Sequence, residues 1–291
     1  MIKSTIKNIR KNIKDSFSFL SFLFSILRHG ELKDSIEHTY KGKLVILANG
    51  PSLAGVLPKL KSNIFLNVDF SVLNFFAESK EFWEIKPKHY FFEDPMFYGT
   101  SHREQQVKKV FSLLQKVDWI MNVYIITRNK EKFLTFSNLT NPNLKIISVN
   151  AEYYRGFPQF EFYFYAKGLA CPKLFTVANM AIFVGINSGY SMIDLYGADH
   201  TFFDSLCVDE NNHLCNRDKH FYDNGKTLLK PILRNDNDQI WKISDYLFSI
   251  GQMFKTHDVL AEYAKYKNVK ILNCTPGSMI DSYPRNPQTI D

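Results

Sequence analysis

Four polar residues stand where apolar runs end. Asn49 closes Leu44–Ala48 in "KLVILANGPSL", Asp69 follows Asn63–Asn67, Asp94 follows Lys88–Phe92, and Asp199 in "LYGADHTFF" follows Met192–Tyr196 and Gly197. Polar groups at the carboxyl ends of neighbouring parallel strands line one crevice, the place where open α/β sheets hold nucleotides. Each residue alone also reads as a helix cap. As a set they read as a ligand site. In the first turn, Asn49 and Gly50 reach backbone angles that bulkier residues avoid, Pro51 fixes its φ, and Ser52 can cap a short helix or bond a ligand oxygen. Free N–H groups in such a turn would suit an anion, and Gly50 would let the backbone approach it closely.

Other chemistries lack their residues. No GxGxxG follows the first apolar run and no GxxxxGK[ST], GxSxG or HExxH is present, so a dinucleotide oxidoreductase, a P-loop NTPase, an α/β-hydrolase and a zinc peptidase have no support. Cys171, Cys207, Cys215 and Cys274 form no CxxC pair and have no histidines at zinc spacing, which suits a reducing compartment. Asp236-Asn237-Asp238 is the one DxD-like string. It sits in an Asn-rich stretch with no strand before it and reads as a solvated loop, so no metal site is expected.

The elements that must position these residues alternate from Gly42 onward. Strands are expected at Leu44–Ala48, Asn63–Asn67, Lys88–Phe92, Val123–Thr127, Leu144–Val149, Met192–Tyr196 and Val269–Asn273. Helices are expected near Val72–Ser79, Arg103–Leu114, Thr176–Asn187 and Ile240–Tyr266. This is a doubly wound α/β pattern with a mostly parallel sheet. Residues 203–237 break the rhythm with a polar, Asp- and Asn-rich stretch that reads as a lid loop. With 291 residues, 45% of them hydrophobic, the chain can bury a large core.

The first 42 residues differ from the rest. Ile2, Ile6, Ile9, Ile13, Phe17 and Leu20 recur at helical spacing with Lys3, Lys7, Arg10, Lys11 and Lys14 between them, which predicts an amphipathic helix with one apolar and one basic face. Its apolar part is too short to span a bilayer but suits an anionic interface; packing on the body or on another subunit is the alternative. The domain boundaries are thus 1–42 for this helix and its linker and 43–291 for the main domain. A net charge of +7 and a pI near 9.0 attract nucleic acid, anionic lipid or phosphorylated small molecules. Nothing beyond charge points to nucleic acid. No cleavable secretion signal is recognisable, so a cytoplasmic protein, peripheral to the inner face of the membrane, is expected.

Taken in order, four stretches resemble a known family. "ILANGPSL", "YFFEDPMFY", "FTVANMAIFVGINSGYSMIDLYGADHTFF" and "VKILNCTPGSMI" are similar to the signatures of the bacterial sialyltransferases of glycosyltransferase family 42 and related transferases, over roughly Lys43 to Ile280. The resemblance implies a single Rossmann-like (GT-A-type) domain whose lid orders over the donor. It also implies inverting, metal-independent transfer of a sialic acid or related nonulosonic acid from a CMP-sugar to a surface glycan or glycolipid acceptor. The CMP-sugar is the donor substrate, and no cofactor is implied. By position, Asn49, Gly50, Pro51 and Ser52 fall at the donor phosphate and ribose, and Asp94 and Thr176 match donor-site residues; with Asp69, Gly197 and Asp199 these make the expected donor site.

The chain departs from that pattern at several places. Asp94 stands where the family has Asn, Val177-Ala178 replaces Ser-Gly, and Thr201 replaces the first of two tyrosines, for which Tyr222 is the substitute. A general base is expected among His200, His213, His220 and His257. His220 in "RDKHFYD" is preferred because a lid can fold it back beside Arg217, Lys219 and Tyr222. A different nucleotide-sugar donor, or a non-catalytic nucleotide-binding or membrane-associated protein, are the alternative readings, and a homo-oligomer is compatible with all of them.

Overall fold

The structure is a computed structural model, and it describes residues 2–33, 36–99, 101, 103–218, 228–234 and 239–286. A long helix, α1 (Ile2–His29), precedes β1 (Lys43–Leu47), β2 (Val68–Leu73), α2 (Lys80–Ile85), β3 (His89–Phe91), α3 (Glu104–Leu114), β4 (Met121–Ile126), α4 (Lys130–Ser137) and β5 (Leu144–Val149). Then come α5 (Glu161–Ala166), α6 (Val177–Asn187), β6 (Met192–Tyr196), β7 (Leu206–Val208), β8 (Leu214–Asp218), β9 (Leu228–Pro231), α7 (Ile243–Tyr266) and β10 (Lys270–Asn273).

Seven strands form one sheet in the order β10-β6-β1-β2-β3-β4-β5, and every pairing in it is parallel. The chain winds outward from β1 to β5, then returns to the other side of β1 for β6 and β10. The direction of winding therefore reverses between β1 and β6. Alternate residues of each strand feed opposite cores. Leu44 and Ile46 join α1, α5, α6 and α7 on one face, whereas Val45 and Leu47 join α2, α3 and α4 on the other. Burial on both faces is why β1 reads as a nearly continuous apolar run.

The expected α/β architecture is present, with local corrections. Asn63–Phe65 is a 3₁₀ turn, not a strand, and the chain passes Asn67 in the left-handed region (φ 57°) before β2 begins at Val68. Val72 and Leu73 belong to β2, so the helix expected at Val72–Ser79 shrinks to a 3₁₀ turn at Phe76–Glu78. Within the expected lid, β7, β8 and β9 form a small antiparallel sheet rather than an irregular loop.

Helix α1 has two apolar faces where its periodicity suggested one. Phe19, Phe22, Leu23 and Ile26 pack into the core; Phe19 and Phe22 meet the rings of Tyr154 and Phe164 edge-on or tilted. Ser25 donates to the buried carboxylate of Glu152, which also receives Arg128 at 2.5 Å. Asn150 clasps the helix exit by accepting from the Glu31 N–H and donating to the Glu31 carbonyl, both at 2.8 Å. No helix among the described residues is long and apolar enough to cross a membrane.

Candidate functional site

A cleft of about 500 Å³ opens at the carboxyl ends of β1, β6 and β2. That is the reversal point of the winding, where open α/β sheets leave room for a ligand. Asn49, Gly50 and Pro51 line it after β1, Asn74 after β2, and Gly197, Asp199 and His200 after β6. Thr176, Val177 and Ala178 at the start of α6 form another wall, and Ser205 and Asn216 reach it from the β7–β9 side.

The turn after β1 is not an open anion cradle. Gly50 N–H donates to the Gly197 carbonyl at 2.8 Å, Leu53 N–H to the Gly50 carbonyl at 3.0 Å, and Pro51 has no N–H. Ser52 gives its N–H to Asp199 Oδ1 (3.2 Å) and its hydroxyl to Asp199 Oδ2 (2.8 Å). The anion at this turn is the protein's own carboxylate. Gly50 is required by that contact: a Cβ there would lie 2.0 Å from Asp199 Oδ2 and 2.4 Å from the Gly197 carbonyl oxygen. Close approach of β6, rather than of a ligand, accounts for the glycine. Gly197 has φ 69°, and a Cβ on it would lie 2.4 Å from the Ala48 carbonyl oxygen. Asn49 bridges β1 to β2 by donating to the Leu73 carbonyl at 3.0 Å, which leaves its Oδ1 as an acceptor.

Donors for an anion come instead from α6. Thr176 caps this helix in a reciprocal box: its Oγ1 accepts from Asn179 N–H at 3.3 Å, and its own N–H donates to Asn179 Oδ1 at 3.2 Å. The Val177 and Ala178 N–H groups belong to the first turn and have no intrahelical acceptor. They line the cleft at the positive end of the helix dipole. The Thr176 hydroxyl, used as an acceptor, still has a proton to donate.

The same Asn179 sets the protonation of two buried histidines. Because its Oδ1 accepts from the Phe175 and Thr176 N–H groups, its Nδ2 faces His257 Nε2 at 3.1 Å and donates to it. His257 Nε2 is therefore the acceptor, and its Nδ1 proton goes to the Tyr283 hydroxyl at 3.0 Å. His200 Nε2 lies 3.2 Å from His257 Nε2 and must carry the proton that points there. His200 Nδ1 is left as a lone pair with no hydrogen-bond partner among the described residues. Burial pushes His200 down to about 4, and burial together with the neighbouring His200 pushes His257 down to about 3. Both rings are neutral at neutral pH.

The expected site residues divide. Asn49, Gly50, Pro51, Thr176, Gly197 and Asp199 converge on the cleft, with Ser52 directly behind Asp199. Asp69 does not. It lies at the amino end of β2, on the opposite edge of the sheet, held by Lys88 at 2.9 Å and the Tyr190 hydroxyl at 2.6 Å. Asp94 is at the carboxyl edge but outside the cleft wall, where it caps the turn Pro95–Tyr98 by accepting from Met96 N–H. His220 and Tyr222 lie outside the described residues, as does the Asp236-Asn237-Asp238 string. Sequence reasoning missed Asn74, which takes the place intended for Asp69 once β2 is correctly bounded, and Tyr246 from the first turn of α7. Among the described residues no group of three or more His, Cys, Asp or Glu side chains is placed to hold a metal ion.

No protein-family model matches the chain, and no curated protein matches it significantly. Among solved structures it is similar to a MAf glycosyltransferase from Magnetospirillum magneticum AMB-1, at 13% identity and a TM-score of 0.46. The match covers 88% of this chain and 36% of that one, so the chain spans about a third of the length of that protein.

Proposed function

We propose that the protein is an inverting glycosyltransferase that moves a sialic acid or related nonulosonic acid from a CMP donor in this cleft to a hydroxyl of a glycan or glycolipid acceptor. One observation carries the reading. A helix start with uncommitted N–H groups and a neutral histidine with a vacant ring nitrogen line the same cleft, at the sheet's reversal point. The ordered motifs from Lys43 to Ile280 supply the reaction class.

In this reaction the acceptor oxygen bonds to the anomeric carbon of the donor as the bond from that carbon to the CMP phosphate oxygen breaks. The Val177 and Ala178 N–H groups receive the charge that grows on the leaving phosphate, and the Thr176 hydroxyl donates beside them. These donors are backbone groups, so exchanging Ser-Gly for Val-Ala does not remove them. His200 Nδ1 takes the acceptor proton, and His257 and Tyr283 hold the ring in the tautomer that leaves this nitrogen open. The role is placed on His200 because it borders the cleft. His220, expected from the sequence, remains the rival base.

Thermal denaturation with CMP, UDP and GDP, followed by assay of CMP release from a CMP-nonulosonic acid with and without a glycan acceptor, tests the reading. Selective stabilisation by CMP and acceptor-dependent CMP release are expected. Preference for UDP or GDP would move the donor to another class. Indifference to all three nucleotides would overturn the reading.

A further inference from the structure

We propose that the outward face of α1 is a docking surface for an anionic phospholipid membrane. The inference stands apart from the chemistry assigned to the cleft. Ile9, Ile13, Phe17, Leu20, Phe24 and Leu27 are all between 52% and 71% exposed. Their spacing of four, four, three, four and three residues places them in one stripe, roughly 27 Å long at 1.5 Å per residue. This stripe is separate from the face that carries Phe19, Phe22, Leu23 and Ile26 into the core. Isoleucine, leucine and phenylalanine exposed over more than half of their surface in an unbroken row mark an interaction site on a protein surface.

Charge selects the occupant. Arg10 and Lys14 lie one helical step to the side of Ile13 and Phe17, and Arg28 lies one turn beyond Phe24; all three are exposed. Across the whole helix the sequence has Lys3, Lys7, Arg10, Lys11, Lys14 and Arg28 against a single acid, Asp15. Asp15 is partly buried and acts on Tyr154, so it belongs to the body side. An apolar stripe whose charged border is cationic fits acyl chains below and anionic headgroups beside them. A second α1 fits poorly, because it would bring the same cations with no acidic border to meet them. Residues 8–14 of the helix are all exposed, so the body packs little against them and a surface to lie on would supply what it does not.

The test is co-sedimentation of the full chain with vesicles of phosphatidylcholine alone and of phosphatidylcholine mixed with phosphatidylglycerol. Binding is expected only to the mixed vesicles and should weaken as salt rises. The double variant Phe17→Ser/Phe24→Ser should bind more than tenfold less. Arg10→Gln/Lys14→Gln should bind roughly thirtyfold less, two cations being worth about 1 kcal/mol each near such a surface. Both variants should keep the parent's unfolding midpoint, because the altered side chains are exposed. Absence of binding to the mixed vesicles, equal binding to both compositions, or undiminished binding by Phe17→Ser/Phe24→Ser would overturn the proposal. So would a lipid-free dimer in sedimentation that this apolar variant dissociates, which would make the stripe an interface between copies.

Discussion

The carboxylate of Asp199 rests on Ser52, 2.8 Å from its hydroxyl and 3.2 Å from its N–H, and so fixes the turn after β1 to the end of β6. The two residues are 147 positions apart in the chain, and Gly50 lies between their strands where no side chain fits. The "NGPS" turn is thus a seam of the fold before it is a wall of a site.

Gly50→Ala should therefore destabilise the protein rather than only block a ligand. Its Cβ would collide with backbone and with a carboxylate that is already anchored, and overpacking of this kind costs about 1–3 kcal/mol or more. Urea unfolding would show a lower midpoint. A Gly50→Ala protein of normal stability that has lost nucleotide binding would instead return the glycine to the ligand.

Replacing His200 by Gln should lower transfer by about a hundredfold or more while leaving donor affinity nearly unchanged, since the ring meets the acceptor. His257→Gln acts through position and should cause a smaller loss together with a displaced pH profile. Because His200 titrates at about 4, turnover by the parent should be flat from neutrality towards pH 5 and fall as the ring protonates below that. An acid limb centred near 6.5, the ordinary histidine value, would argue against His200 as the base and favour its rival, His220.

Three buried histidines give the stability a pH dependence of definite sign. Burial holds His89 and His257 at about 3 and His200 at about 4 in the fold, whereas an unfolded chain protonates histidine near 6.5. Below 6.5 the unfolded state binds more protons, so stability is full above that pH and declines as pH falls through 6 and 5. Each ring contributes up to about 1.4 kcal/mol per pH unit. Urea midpoints at pH 7 and pH 5 should differ accordingly, and His89→Gln should flatten the slope by one proton. Equal midpoints at the two pH values would show that the rings open to solvent.

Truncation of α1 should have two outcomes depending on where it stops. Removing residues 1–14 takes away only exposed side chains among those described and should leave the unfolding midpoint of the lipid-free protein nearly unchanged. Phe22, by contrast, is fully buried against Tyr154 and Phe164. Phe22→Ala should cost about 3–5 kcal/mol, the usual penalty for emptying an aromatic core site, and calorimetry would register it. A harmless Phe22→Ala would mean that the helix folds apart from the body.

The sheet was legible where apolar residues dominate a strand. Leu144–Val149 and Met192–Tyr196 were bounded correctly because Leu144, Ile146, Ile147 and Val149 in the edge strand, and Ile193, Leu195 and Tyr196 in the interior one, outweigh Lys145 and Asp194. β2 was not, because Asp69 and Ser71 interrupt its pattern, and the partners that make Asp69 tolerable, Lys88 and Tyr190, come from elsewhere in the chain. Misplacing that one strand moved Asp69 to the wrong edge of the sheet and hid Asn74. The cleft residues after β1 and β6 were legible as polar groups at strand ends. That Ser52 and Asp199 would satisfy each other, and that Asn179 would set the tautomers of His257 and His200, depends on distances no spacing encodes.

The seam between β1 and β6 also bears on how a ligand would be received. Ala48 N–H to the Tyr196 carbonyl, Gly50 N–H to the Gly197 carbonyl and Ser52 to Asp199 all close within the protein, and Ser278 and Thr275 bond Ala198 from the β10 side. The floor of the cleft is thus ordered when the chain folds, and that conformational entropy has been surrendered before any ligand arrives. An incoming ligand then sacrifices chiefly its own freedom of motion, and the expected entropy of association becomes that of filling a preset mould.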